Sequence, residues 1–260
     1  MNKWLVKKWF QIAEALIVGA MLWACSDDKG MAGGTTEDAG IIAELNVAGV
    51  AQKGPFVKGS VVSVQGINCR TFELTGEYYE TTIKSNGGDY EVDDINLSSV
   101  CAVFEVSGYY LSEITGAVSS EKLTLRAVTN LKNRDRVNIN VLTHLEYERV
   151  MYLVTVNKMS LADAKKQAEK EIFAAFNIKG DFAEAEDLNI FEAGDGNAAL
   201  LAISVMMQAE FDDKTLEERF ERFNEFFAKN GVWYDSYAKL EIAKWAQDAA
   251  ADGKLDSIRK

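Results

Sequence analysis

The chain changes character once, near residue 136, and that change limits the fold more than any other feature. Between residues 44 and 130 the apolar runs are short or alternating, and glycine and asparagine separate them. A period of two punctuated by turn formers marks strands with one buried face. The strands predicted are 45–50, 60–66, 79–84, 90–92, 102–106 and 122–127, with turns at Gly54-Pro55, at Ser85-Asn86-Gly87-Gly88 and at Ser107-Gly108. Several short strands at this spacing point to an antiparallel sandwich. Beyond Arg136 helical periodicity takes over, with helices predicted near 141–156, 160–176, 196–210, 215–229 and 234–252. Ser160 with Asp163, and Thr215 with Glu218, are spaced as capping boxes that offer acceptors to the orphan amides of a helix start. Asn230-Gly231 is a natural helix stop. Residues 198–207 are apolar nearly all round apart from Ser204, the pattern of a helix enclosed by others. The expected fold class is α+β: an N-terminal antiparallel β-sandwich (43–130) followed by a C-terminal α-helical bundle (136–260) with 198–207 at its centre.

What precedes the strands bears on location. Lys3, Lys7 and Lys8 lead into an apolar run, 15–24, that stops at Cys25 and gives way to Ser26-Asp27-Asp28. A basic start and a short apolar core describe an export signal. A membrane span needs about 20 apolar residues, and Glu14 interrupts this pattern before a shorter run. Leu22-Trp23-Ala24-Cys25 resembles the bacterial lipobox, although Trp23 departs from the small or aliphatic residue usual there. The resemblance implies that Cys25 receives a diacylglyceryl group and becomes the first residue after cleavage. Several acyl chains would then anchor the protein, since stable attachment takes two signals. Residues 1–25 are thus read as a lipoprotein signal peptide. Residues 26–42, rich in Gly, Asp, Ser and Thr, are read as a flexible linker. Ser26-Asp27-Asp28 also resembles the export tag of some surface-exposed lipoproteins of fibre-degrading Gram-negative bacteria.

The whole chain has 28 basic and 40 acidic residues, a net charge of −12. Three lysines and one glutamate lie in 1–25, so the remainder carries −14. Such a surface repels nucleic acid. With Cys25 taken by lipid, Cys69 and Cys101 remain as an even pair in an oxidising compartment. They are expected to form a disulfide, with two buried free thiols as the other reading.

Residues 49–64 (GVAQKGPFVKGSVVSV), 81–97 (TTIKSNGGDYEVDDINL) and 103–116 (VFEVSGYYLSEITG) resemble successive blocks of a carboxypeptidase regulatory-like, transthyretin-type β-sandwich. Domains of that family act as scaffolds, spacers or binding modules. Together with 139–154 and 187–208 these blocks resemble a paralogous lipoprotein family of fibre-degrading Gram-negative bacteria with no assigned activity.

Chemistry-bearing residues are few. His144 is the only histidine, which removes His-based triads and multi-histidine zinc sites, and a packing or capping role is expected for it. Asp93-Asp94, Glu184 with Glu186-Asp187, and Asp212-Asp213 are the carboxylate pairs open to glycoside hydrolysis, but in so acidic a chain they read as solvated surface. Gly194-Asp195-Gly196-Asn197 lacks the ligand spacing of an EF-hand, and Asp195 or Asn197 is expected to cap the next helix. No catalytic residue, metal or cofactor is expected. Tyr78, Tyr79, Tyr109 and Tyr110 are the candidate ligand-facing aromatics, and strand alternation leaves only one of each pair for solvent. "AADGKLDSIRK" ends on what reads as a further helix start, with Asp256 as cap and Ile258 as its apolar residue. The function expected is that of a non-enzymatic outer-membrane lipoprotein, exposed at the cell surface, that binds or displays a plant-wall polysaccharide or an envelope protein. A carboxylate-dependent glycoside hydrolase, or an accessory subunit of a polysaccharide-degrading system, is the alternative.

Cys25→Ser should abolish acylation and release or misplace the protein. Metabolic labelling with an alkyne fatty acid measures this, and undiminished label in the variant refutes the lipid anchor.

Overall fold

The computed structural model describes residues 38–209, 213–253 and 258, and of 213–215 the backbone alone. The export segment, Cys25 and most of the linker lie outside the described residues. Seven strands in two sheets and five α-helices make the described part a mixed α+β structure. The strands are β1 (Ile42–Gln52), β2 (Val61–Ile67), β3 (Leu74–Thr82), β4 (Asp89–Leu97), β5 (Cys101–Gly108), β6 (Leu123–Asn130) and β7 (Ile139–Asn140). The helices are α1 (Val141–Thr155), α2 (Leu161–Ala175), α3 (Asp195–Gln208), α4 (Asp213–Asn230) and α5 (Ser236–Ala251).

One sheet has the order β3-β2-β5-β6, antiparallel throughout. The other has the order β4-β1-β7, in which β4 is antiparallel to β1 and β7 is parallel to it. Where bulges interrupt the β1–β4 ladder, asparagines supply the missing acceptors: Glu44 N donates to Asn96 Oδ1 and Asp94 N to Asn46 Oδ1, at 3.0 and 2.9 Å. Tyr79 links the two sheets, its hydroxyl donating to the Asn96 carbonyl (2.9 Å) and accepting from the Asn96 amide (2.8 Å). Cys69, just after β2, is bonded to Cys101 at the start of β5, with Cα atoms 5.3 Å apart.

The chain leaves the sheets along β1. Ala48 N donates to Asp135 O and Val137 N to Ala48 O, and the parallel pairing continues to Ala51 with Ile139 and Gln52 with Asn140. Gly49 permits this contact, because a Cβ there would collide with the Val137 carbonyl. The same carbonyl accepts from the buried Tyr90 hydroxyl at 2.6 Å. Four buried amides then bind the crossing together. Asn138 accepts from Val50 N (3.1 Å) and donates to Leu188 O (3.1 Å). Asn140 caps α1 in a capping box with Thr143 and donates to Ala185 O (2.7 Å). Gln52 donates to Asn189 Oδ1 (2.7 Å) and accepts from Ile190 N (3.1 Å).

Helix α1, rather than α3, is the helix with neighbours all round: it packs on β6 and on α2, α3 and α4. The expectation that 198–207 would be central is corrected by Ala202, which stays exposed on α3. Its apolar outer side instead faces the 190–193 segment and Ile258, which packs against the core. Ser160 caps α2 as expected, its hydroxyl accepting from Asp163 N at 3.1 Å. Gly194, not Asp195 or Asn197, is the N-cap of α3, and Asn197 uses its Oδ1 to accept from Asn189 N. Thr215 falls within α4, which starts at Asp213. Two arginines close helix C-termini. Arg149 of α1 makes a two-pronged pair with Glu171 of α2 (2.7 and 2.9 Å) and donates to the last carbonyls of α4. Arg219 of α4 donates to the carbonyls of Met206, Met207 and Ala209 at the end of α3.

The boundary expected between 130 and 136 falls in the link from β6 to β7. Across it the described strands and helices share one buried apolar cluster within one compact unit. None of the described helices is long and apolar enough to cross a membrane.

Gly49→Ala should cost about 1–3 kcal/mol, the usual range for forcing an extra group into packed structure. Urea denaturation measures it, and an unchanged midpoint means that the β1 crossing tolerates the methyl.

Candidate functional site

Three concave or charged regions can be built from the residues. The first is a buried ion cluster. Lys165 on α2 pairs with Glu146 on α1 and, at 2.8 Å, with Glu186 in the 3-10 turn Ala185–Asp187. All three side chains are nearly or fully buried, and a buried charge persists only when paired. Burial pushes the Glu146 carboxyl up to about 8, against the pull of Lys165. Burial also acts to raise Glu186, but Lys165 and Arg134 outweigh it and hold that carboxyl below its ordinary value. Burial would lower Lys165, yet the two glutamates raise it. The opposite shifts make Glu186 the carboxyl that more readily stays ionised beside Lys165 and Glu146 the one that holds its proton more tightly. Neighbouring Glu169 is raised by burial to about 7.

A cavity of about 300 Å³ adjoins this cluster, lined by Thr129, Asn130, Asn133, Arg134, Lys165 and Glu184 among others. Glu146 and Glu186 are not in its wall, so the carboxylates stand behind the lysine rather than facing a ligand. The acid group Glu184, Glu186 and Asp187 is split by the fold. Glu186 is buried on Lys165, while Glu184 and Asp187 stay exposed and hold Arg134, Asp187 at 2.6 Å. Asp93 and Asp94 are exposed on β4. Asp212 and the side chain of Asp213 lie outside the described residues.

His144 lines a second groove, of about 740 Å³, with Glu105, Glu148, Glu217, Glu221 and Glu225. Its Nδ1 accepts from Arg126 N at 3.3 Å, and its ring packs on Phe220 with centroids 5.1 Å apart. Burial, with help from Arg126, pushes its pKa down to about 3, so the ring is neutral.

The four candidate tyrosines do not form one face. Tyr110 is buried against Phe56 and Lys53, and the Tyr79 hydroxyl is committed to Asn96. Tyr78 is exposed with its hydroxyl on Glu80, and Tyr109 is exposed beneath Lys122. Through Gln65, Tyr78 is level with Val103, six positions from Tyr109, so the two exposed rings stand about 20 Å apart along the strands.

The third region lies where α4 and α5 meet. Residues 231–235 reverse the chain, and Asp235 caps α5 by accepting from Ala238 N at 3.0 Å. A cleft of about 260 Å³ opens between the helices, lined by Glu218, Arg219, Arg222, Phe223, Trp233, Asp235, Tyr237, Ala238 and Glu241. Arg222 donates to Asp235 Oδ2 at 2.9 Å. Trp233 is wedged against Phe176 and Phe223, each at 5.3 Å between centroids. Phe226, Val232, Tyr234, Tyr237 and Leu240 are five of the thirteen large apolar or aromatic side chains exposed among the described residues. All five fall within residues 226–240, and of them Tyr237 lines the cleft. No sequence pattern announced it, because the α5 positions interleave with buried Ala238, Ile242 and Trp245.

Comparisons of the chain with protein-family models, with curated proteins and with solved structures find no match.

The ion cluster and the histidine set opposite pH limbs. Glu146, raised from 4.5 to about 8, contributes stability that is complete below pH 4.5 and lost as pH climbs toward 8. His144, lowered from 6.5 to about 3, contributes stability present above pH 6.5 and lost as pH falls toward 3. Glu146→Gln should therefore cost little at pH 7 and should flatten the alkaline limb. Glu186→Gln removes the ionised partner of Lys165 and should cost up to about 3 kcal/mol at pH 7. Denaturant titrations from pH 5 to 9 test this, and equal losses in the two variants would refute the assignment of charge.

Proposed function

We propose that the protein is a lipid-anchored outer-membrane lipoprotein, exposed at the cell surface, that works as a binding module and not as an enzyme. In this reading Cys25 carries the lipid and the linker spaces the folded part from the membrane. The two sheets form a β-sandwich of the carboxypeptidase regulatory-like type, and the five helices form a bundle packed against it. The resemblance to the paralogous lipoproteins of fibre-degrading bacteria belongs to the same proposal. Its ligands are plant-wall polysaccharide or another envelope protein.

The observation that carries the binding reading is the run of exposed aromatic and apolar side chains over residues 226–240, of which Tyr237 lines the α4–α5 cleft beside Trp233. A binding surface needs such anchors, framed by polar groups that fix orientation. The alternative, a carboxylate hydrolase, needs two acids facing one cleft. Glu146 and Glu186 do converge, but on a buried lysine.

The protein purified with its anchor in detergent should co-sediment with insoluble cellulose or xylan, and soluble glycan should release it. Failure to sediment with either fibre removes the polysaccharide half of the proposal. Release of reducing sugar from them would favour the hydrolase.

A further inference from the structure

We propose that the cleft between α4 and α5 is a sugar subsite that takes one or two rings of a neutral glycan, with Tyr237 as its stacking platform. This rests on the binding-module reading and names its ligand class. A sugar ring is amphipathic: its C–H faces are apolar, and each hydroxyl at its rim both donates and accepts. A matching site needs an aromatic surface with fixed donors and acceptors beside it.

The cleft supplies both. Tyr237 is 66% exposed in the first turn of α5, where the Asp235 cap fixes the backbone. Trp233 forms an immobile apolar wall, only 3% exposed and packed between Phe176 and Phe223. Aromatic rings of this kind give large contact area at little cost in lost conformational freedom. Arg222 and Asp235, joined at 2.9 Å, set guanidinium donors beside carboxylate acceptors, the arrangement that can grip adjacent hydroxyls. Glu218 and Glu241 add acceptors, and Arg219 lies 3.5 Å from Glu241.

Charge selects against other ligands. Two arginines face three carboxylates in the cleft, so neither an acidic nor a basic ligand gains strongly. At about 260 Å³ the space is slightly below that of drug-sized pockets, about 300–1,000 Å³, and fits a ring or two of a longer chain running over the surface. The groove at His144 is unsuited by its five glutamates. In the cavity at Lys165 that lysine is already paired with the buried Glu146 and Glu186, and Arg134 with Glu184 and Asp187.

The test is a titration of the purified full chain with cellohexaose, xylohexaose, mannohexaose and, as the charged control, oligogalacturonate, read by calorimetry and tryptophan fluorescence. At least one neutral hexasaccharide should bind, with Kd raised tenfold or more by Tyr237→Ala and by Arg222→Ala and unchanged by Tyr78→Ala. Thermal melts check that each variant is folded at the titration temperature, and Arg222→Lys, which keeps a cation on Asp235, separates loss of the planar donor from loss of that pair. Wild-type affinity in Tyr237→Ala, or loss in Tyr78→Ala, overturns the subsite and leaves the binding-module reading standing. Binding of oligogalacturonate alone overturns the neutral class. If no probe binds, the subsite falls together with the polysaccharide half of the proposed function, and the envelope-protein half remains.

Discussion

The described structure depends on how one extended segment, residues 135–140, lies along β1. Backbone hydrogen bonds alone would leave that segment an edge able to slip. Gly49 removes the obstruction, Tyr90 ties the Val137 carbonyl, and Asn138, Asn140, Gln52 and Asn189 satisfy buried polar groups on three pieces of chain at once. An unmet buried amide costs about 1–3 kcal/mol, far more than a met one returns. That asymmetry makes the crossing specific. A shifted register would strand several amides together, so β1, α1 and the 185–190 segment hold a single relation.

The helices are joined by the same economy of polar groups. Their C-terminal carbonyls are orphans that must find donors, and Arg149 and Arg219 reach across from neighbouring helices to supply them. Each arginine also meets a carboxylate on a third helix, Glu171 of α2 or Glu241 of α5. Gly231 completes the first arrangement, since a side chain there would occupy the space of the Glu171 carboxylate. Charge that looks abundant in the composition is thus partly spent inside, on joints between helices.

The sequence disclosed elements far better than it disclosed polar partners. All five helices were legible, because each sustains its apolar period over three or more turns, and the caps at Ser160 and Gly231 were readable from residue type. The first half of β3 was not, since an edge strand with both faces half exposed shows no apolar alternation. Nor was β7: the period of two in Val137-Asn138-Ile139-Asn140-Val141 was present, but asparagine at alternate positions reads as a solvent face. Glu186 read as one more surface acid for the same reason. The exposed corner at Tyr237 and Leu240 was hidden because α5 is apolar on its inner face as well. Ser204, the exception in an apolar helix, is buried; its hydroxyl donates to Lys53 O at 3.0 Å and also pairs with Glu113 Oε1.

That partner, Lys53, has a consequence for the order in which the chain can fold. It sits in the turn after β1, fully buried, with its ammonium on Glu113 at 2.7 Å and on Gln208 at 3.0 Å. Gln208 lies 155 residues further along. Contacts of such separation form late, because loop closure must precede any gain. Until α3 arrives, the turn cannot close over an ammonium lacking part of its shell. The N-terminal strand, first to be made, is therefore among the last to be locked.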